Sequence, residues 1–186
     1  MGLGKKGVRA LGIAESFRKK EKESILAGIV MRGDMYIDGV AIAKISVGGM
    51  DATEGVIEIF RSLEREDVNA TLLGGCVISW FNIVDIEKVY EETKTPVICV
   101  TYEESEGLEK YIKEYFADDC DARIKLYKKL GARERIKLNT GNEILVRFLG
   151  MTKSEARVLL NRFTTHGKIP EPIRVARLTA RAVLKS

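Results

Sequence analysis

Apolar positions along this chain fall into short runs whose period changes partway. Val8 to Ile13, Ser24 to Met31 and Met35 to Ile45 are apolar stretches separated by the charged run Arg18 to Glu23 and the turn residues Arg32-Gly33-Asp34. They predict three consecutive strands joined by tight connections, an antiparallel meander, with Asp38-Gly39 as a bulge or second bend. From Asp51 the spacing lengthens. Val56, Ile57, Ile59, Phe60 and Leu63 supply one apolar face, so a helix capped by Asp51 or Thr53 is expected to run to about Glu66.

The stretch from Asn69 to Tyr102 then organises the rest. Ala70 to Leu73 is apolar and stops at Gly74-Gly75, Val84 to Thr93 has helical spacing, and Pro96 to Val100 is apolar again. That is a strand, a crossover helix and a parallel strand, and strands apolar on both faces need helices above and below. Three antiparallel strands, a helix, a parallel strand, a helix and another parallel strand is the order of the ribonuclease H-like fold. The expected architecture is therefore α/β, a mixed sheet flanked by helices, with residues 1–186 as a single domain. Glu103 to Glu106 reads as a solvated acidic loop, Leu108 to Phe116 and Ala122 to Leu130 as helices, and Glu143 to Leu149 as a further strand. Thr152 with Glu155 three residues later has capping-box spacing, and Pro170 and Pro172 frame a last helix.

Composition adds one asymmetry. The net charge is +4, but from Ala122 onward sixteen Lys and Arg face four acids, whereas Met1 to Asp121 carries fifteen against twenty-three. A basic half of that strength suits a polyanion, or else lies over the acidic half or faces water. With 45% hydrophobic and 31% charged residues the chain reads as a soluble globule. No apolar run approaches the ~20 residues of a membrane span, and the start lacks a signal-peptide core, so a cytoplasmic protein without membrane contact is expected. Cys76, Cys99 and Cys120 are odd in number and far apart, which predicts buried thiols and neither a disulfide framework nor a thiolate metal site.

Ligands of open α/β sheets sit outside the carboxyl ends of the strands, which points to Gly74 to Asn82. That segment has no acid, histidine or lysine. Its Trp80 and Phe81 can stack on an exposed base or pack into the core. On the last helix Arg174, Arg177, Arg181 and Lys185 recur at steps of three and four and so share one side, which suits a phosphate track or a solvated face. His166 is the sole histidine and has no recognisable partner, and the glycine pairs at 48–49 and 74–75 match neither a P-loop nor a dinucleotide fingerprint.

ALGIAESF, VGGMDATE, LLGGCVISWFNIVDIEKVYEETKTPVICV and GKIPEPIRVARLTARAV together resemble an archaeal family of unknown function, number ninety-nine in its series, over nearly the whole chain. That family is distantly similar to endonuclease V, a magnesium-dependent nuclease of the ribonuclease H-like superfamily that acts beside deaminated purines. The resemblance implies several carboxylates converging on hard cations. Here the first-strand aspartate aligns with Ala14, the next with Leu73 or Gly74, and the late histidine has no counterpart near Leu149. Glu54 matches the helix glutamate, and Glu15, Asp51 and Glu54 can still gather as a weak site, against a capping role for Asp51 and Glu54.

The leading expectation is a protein working on or near DNA or RNA with a degenerate catalytic centre, in which Lys168, Arg174, Arg177 and Arg181 contact phosphates and Trp80 and Phe81 offer a stacking surface. One alternative is a nuclease or phosphodiesterase using magnesium or manganese on Glu15, Asp51 and Glu54. Another is an interaction or assembly module, including a homodimer through an exposed edge strand.

Overall fold

The computed structural model describes residues 7–102 and 107–186; the acidic stretch Glu103 to Glu106 lies outside them. The meander is β1 (Arg9–Ser16), β2 (Glu23–Arg32) and β3 (Ile37–Ser46), followed by α1 (Ala52–Ser62) and β4 (Ala70–Leu73). A small hairpin, β5 (Val77–Ile78) and β6 (Asn82–Ile83), precedes α2 (Ile86–Thr93) and β7 (Val97–Thr101). Then come α3 (Glu109–Tyr115), α4 (Cys120–Lys129), β8 (Glu134–Lys137), β9 (Glu143–Leu149), α5 (Lys153–Phe163) and α6 (Glu171–Lys185). The large sheet has the order β3-β2-β1-β4-β7-β9-β8. β1 runs antiparallel to β2 and parallel to β4, β4 runs parallel to β7, and β9 returns antiparallel.

Two cores follow from the alternation of side chains along each strand. On β1, Ala10 and Ala14 join a cluster with Leu159, Phe163, Ile173 and Ala176 of α5 and α6, while Leu11 and Ile13 join one with Val56, Ile59 and Val89 of α1 and α2. Burying each larger aliphatic side chain contributes about 1.5–3 kcal/mol, so both faces drive folding. Small residues on β1 let α6 lie close. A Cβ at Gly12 would collide with the backbone of Pro172 and Ile173, so only glycine permits this crossing.

The bulge expected at Asp38-Gly39 is present. Val30 pairs with Gly39 and Met31 with Ile37, leaving Asp38 outside the ladder, where its carboxylate accepts from Arg9 and Arg65, each at 2.8 Å. The Thr152–Glu155 capping box also forms. Other details differ from expectation. α1 stops at Ser62, short of Glu66, because the chain turns through Glu64 at φ 48. Asp51 occupies the N-cap position of α1 without capping it; Asn82 Oδ1 accepts from the Ala52 N–H at 2.9 Å instead. Cys76 and Cys99 are a buried disulfide, not separate thiols. Their pairing has a simple cause: Leu73 of β4 lies beside Cys99 of β7, and the chain doubles back at Gly75, bringing the two Cα atoms within 6.0 Å.

Candidate nucleic-acid interface

The carboxyl ends of β1, β4 and β7 open on one side of the sheet. Glu15, near the end of β1, is half-buried. Burial pushes its carboxyl above the usual carboxylate range, opposed by its own backbone N–H, the charge of Arg177 and the Ser79 N–H. Arg177 of α6 lies 6.0 Å from the centre of the Tyr102 ring, and Lys168 Nζ donates to the Tyr102 carbonyl at 2.9 Å. Burial likewise pushes the Tyr102 phenol up against the Arg177 charge, and its hydroxyl has no hydrogen-bond partner. Three elements far apart in sequence therefore meet around one guanidinium. Among the described residues Arg177 and the exposed Arg181 form no ion pair, whereas Arg174 donates twice to Glu171.

Tyr102 also borders a cavity of about 340 Å³ that reaches Gly74, Gly75, Thr101 and Tyr127. Among the described residues its charge comes from Arg147 on β9 and from Arg133 in the connection before β8. Burial, and then the neighbouring Arg133 charge, push the Arg147 guanidinium below its usual range, while Nε donates to Gly131 at 3.0 Å. The Gly74 segment supplies backbone and space, and the cations arrive from elsewhere in the chain. Arg147 was hidden in sequence as one cation inside a strand pattern, with no period of its own.

The hairpin tip is unusual backbone. Ser79, Trp80 and Phe81 follow one another at φ 43, 59 and 64, each in the left-handed region that costs a non-glycine residue about 1 kcal/mol. Interactions from outside the hairpin hold it. The Gly48 N–H donates to the Ser79 carbonyl at 2.7 Å, and the Ser79 and Ser24 hydroxyls lie 2.7 Å apart. Arg123 of α4, buried, donates to the carbonyls of Gly48 at 2.7 Å and of Gly49 and Phe81 at 2.9 Å, while its Nε bonds Asp119 at 2.8 Å. The sequence does carry a trace of this clamp, because Arg123 interrupts the otherwise apolar spacing Cys120, Tyr127, Leu130. Trp80 and Phe81 lean on Tyr115 and Phe116, with ring centres 5.3–6.2 Å apart, and Lys19 Nζ sits 4.7 Å over Trp80. Both rings are half-buried.

The three acids are held apart in role. Asp51 accepts from the Ser46 N–H, the Ser46 hydroxyl at 2.9 Å and Asn82 Nδ2 at 2.7 Å. Burial alone would raise its pKa, but the Asn82 and Ser46 hydrogen bonds hold the carboxyl below its usual range. Glu54 is exposed and pairs with Lys88 of α2, in a cleft shared with Arg61 and Glu92. Among the described residues no group of three or more His, Cys, Asp or Glu is placed to hold a metal ion. A divalent cation needs several free carboxylate oxygens at once, and this donor set does not fit one: Asp51 is saturated by donors, Glu54 is ion-paired, and Glu15 is partly desolvated. His166 is exposed, its Nδ1 3.1 Å from Thr165 Oγ1.

This strand order, with helices on both faces, is a ribonuclease H-like fold shared with endonuclease V. The chain matches an endonuclease V of Ciona intestinalis, solved in complex with a 24mer DNA containing an inosine followed by a ribo-adenosine, with a TM-score of 0.61 over 96% of this chain and 86% of that one at 16% identity. A crystal structure of a protein of unknown function from Archaeoglobus fulgidus matches with a TM-score of 0.82 at 31% identity, over 95% and 98% of the two chains. A UPF0215 protein of Pyrobaculum aerophilum is 37% identical over 173 residues, 92% of each chain. The chain belongs to the Endonuclease dU family, whose profile matches residues 6–184. No helix among the described residues is long and apolar enough to cross a membrane.

Proposed function

We propose that this protein works on or beside nucleic acid in the cytoplasm, on an endonuclease V-like scaffold whose catalytic centre has diverged. The observation that carries the reading is the row of cations at the carboxyl ends of the strands. Among the described residues Arg177 and Arg181 on α6 form no ion pair, and Arg147 lies beside Arg133 in the adjoining cavity. Each phosphate contact made by such groups releases counterions and adds affinity without regard to sequence. Lys168 sits beside Tyr102 at the end of β7, and Arg174 joins the track by exchanging Glu171 for a phosphate. The half-buried rings of Trp80 and Phe81 offer stacking for a base.

Membership of a family named for endonuclease activity supports a second reading, a magnesium- or manganese-dependent nuclease using Glu15, Asp51 and Glu54. It requires these side chains to leave their present partners. One experiment separates the two. Purified protein is mixed with labelled single- and double-stranded DNA and RNA, plain or carrying inosine or deoxyuridine, in manganese, and scored for binding and cleavage together. Salt-sensitive binding without cleavage is the expected result. Cleavage lost in Glu54→Gln would establish the nuclease, and no binding under any condition would remove both readings.

A further inference from the structure

The two edges of the large sheet are built differently. At one edge β8 has four residues, of which Glu134, Arg135 and Lys137 are charged and exposed. Short charged strands are how proteins blunt an edge whose N–H and C=O groups would otherwise recruit another chain. At the other edge β3 has ten residues, and its centre, Gly39 to Ala43, is GVAIA without a charge. Val40 and Ile42 are 56% and 41% exposed. They stand opposite Ile29 and Ala27 of β2, on the α6 side of the sheet, but α6 packs on β1 and β2 and leaves them bare. The bulge at Asp38 closes only one end of this edge.

We propose that β3 pairs with β3 of a second copy of this chain, antiparallel about a twofold axis through Ala41, so that the large sheet continues from one copy into the other. Opposite residues of an antiparallel pair share a face, and this register sets Val40 against Ile42 twice. Moving the axis one residue either way sets Val40 against Lys44 or Ile42 against Asp38, an apolar group against a charge in both cases. The ends of the edge also complement one another. Near Lys44 lie Arg18, Lys19, Lys20 and Lys22 against Glu21 and Glu23, a basic excess tied to β3 through the Lys44–Glu23 pair and the Val47-to-Lys22 hydrogen bond. Among the described residues, near Asp38 lie Asp34, Glu64, Glu66 and Asp67 against Arg9, Arg32 and Arg65, an acidic excess tied to it through Arg9 and Arg65. A twofold axis brings the basic end of each copy to the acidic end of the other, which also opposes a parallel arrangement.

Sedimentation of the full chain should give a species of twice 20.8 kDa. Val40→Lys with Ile42→Lys should raise the dimer dissociation constant about a hundredfold or more while leaving the circular dichroism spectrum unchanged. In a Cys120→Ser background, Ala41→Cys should oxidise to a covalent dimer. Lys44→Cys should not, because its two copies stand about 20 Å apart at the rise of a strand. A monomer at every concentration up to the solubility limit overturns the proposal. So does a dimer that survives the double lysine variant, or one that crosslinks through Lys44→Cys in preference to Ala41→Cys.

Discussion

Charges on the two sides of this molecule are handled in opposite ways. Around α1 and α2 they are matched: Glu54 with Lys88, Arg61 with Glu92, Asp85 with Lys129. Along α6 and the adjoining cavity, Arg177 and Arg181 form no ion pair among the described residues, and Arg147 is destabilised by Arg133. Matched surface pairs are worth little individually and need no further purpose. Like charges held near one another by the fold raise the energy of the free protein, and an anion that binds there lowers it. The difference separates residues that stabilise the fold from residues available to a partner.

The sharpest way to test that division is to break a cation that belongs wholly to the fold. Arg123→Ala leaves three half-buried carbonyls without their donor and opens a hole where the buried guanidinium was, and should cost about 3 kcal/mol in urea unfolding. Removing the disulfide by Cys76→Ser with Cys99→Ser frees a loop of 23 residues and should cost about 3 kcal/mol in the same measurement. Arg177→Gln with Arg181→Gln should leave stability almost unchanged. It should weaken nucleic-acid binding roughly tenfold near 0.1 M salt and flatten the salt dependence by about two counterions. Lys88→Gln, from the matched side, should change neither binding nor its salt slope.

The smallest effect expected is on pH dependence. The folded-state pKa of Glu15 lies above its unfolded value, so the folded chain binds this proton more tightly. Stability from this group is therefore greatest in acid and falls as pH rises from the unfolded carboxylate value through the folded one. Glu15→Gln should raise the melting temperature at pH 7 and lose that advantage toward pH 4. Equal gains at both pH values would mean that burial of the charge is not what Glu15 costs.

Local chemistry made much of this architecture legible. The meander, β4, β9 and the Thr152 capping box rest on neighbours in sequence, and they appear where the residue pattern places them. β8 escaped notice because Glu134-Arg135-Ile136-Lys137 has a single apolar side chain, and two-residue strands such as β5 and β6 are too short to display a period. The site was less legible because its contacts span long stretches of chain. Asp51 looked like a cap, yet Asn82 does the capping, thirty residues on. Arg123 breaks the apolar spacing of its helix, but nothing in the sequence shows that it reaches back to Gly48 and Gly49. Among the described residues the cavity beside Gly74 takes its charge from Arg133 and Arg147, which no motif connects to it.

The close crossing at Gly12 also sets an order of events during synthesis. Its contact joins residues about 160 positions apart, the kind of long-range closure that slows folding. Until the ribosome has released α6, the β1–β2 face made of Ala10, Ala14, Ala27 and Ile29 has no cover. The growing chain must carry that apolar surface through most of its own translation, which makes nascent protein the form most exposed to aggregation and to chaperone capture.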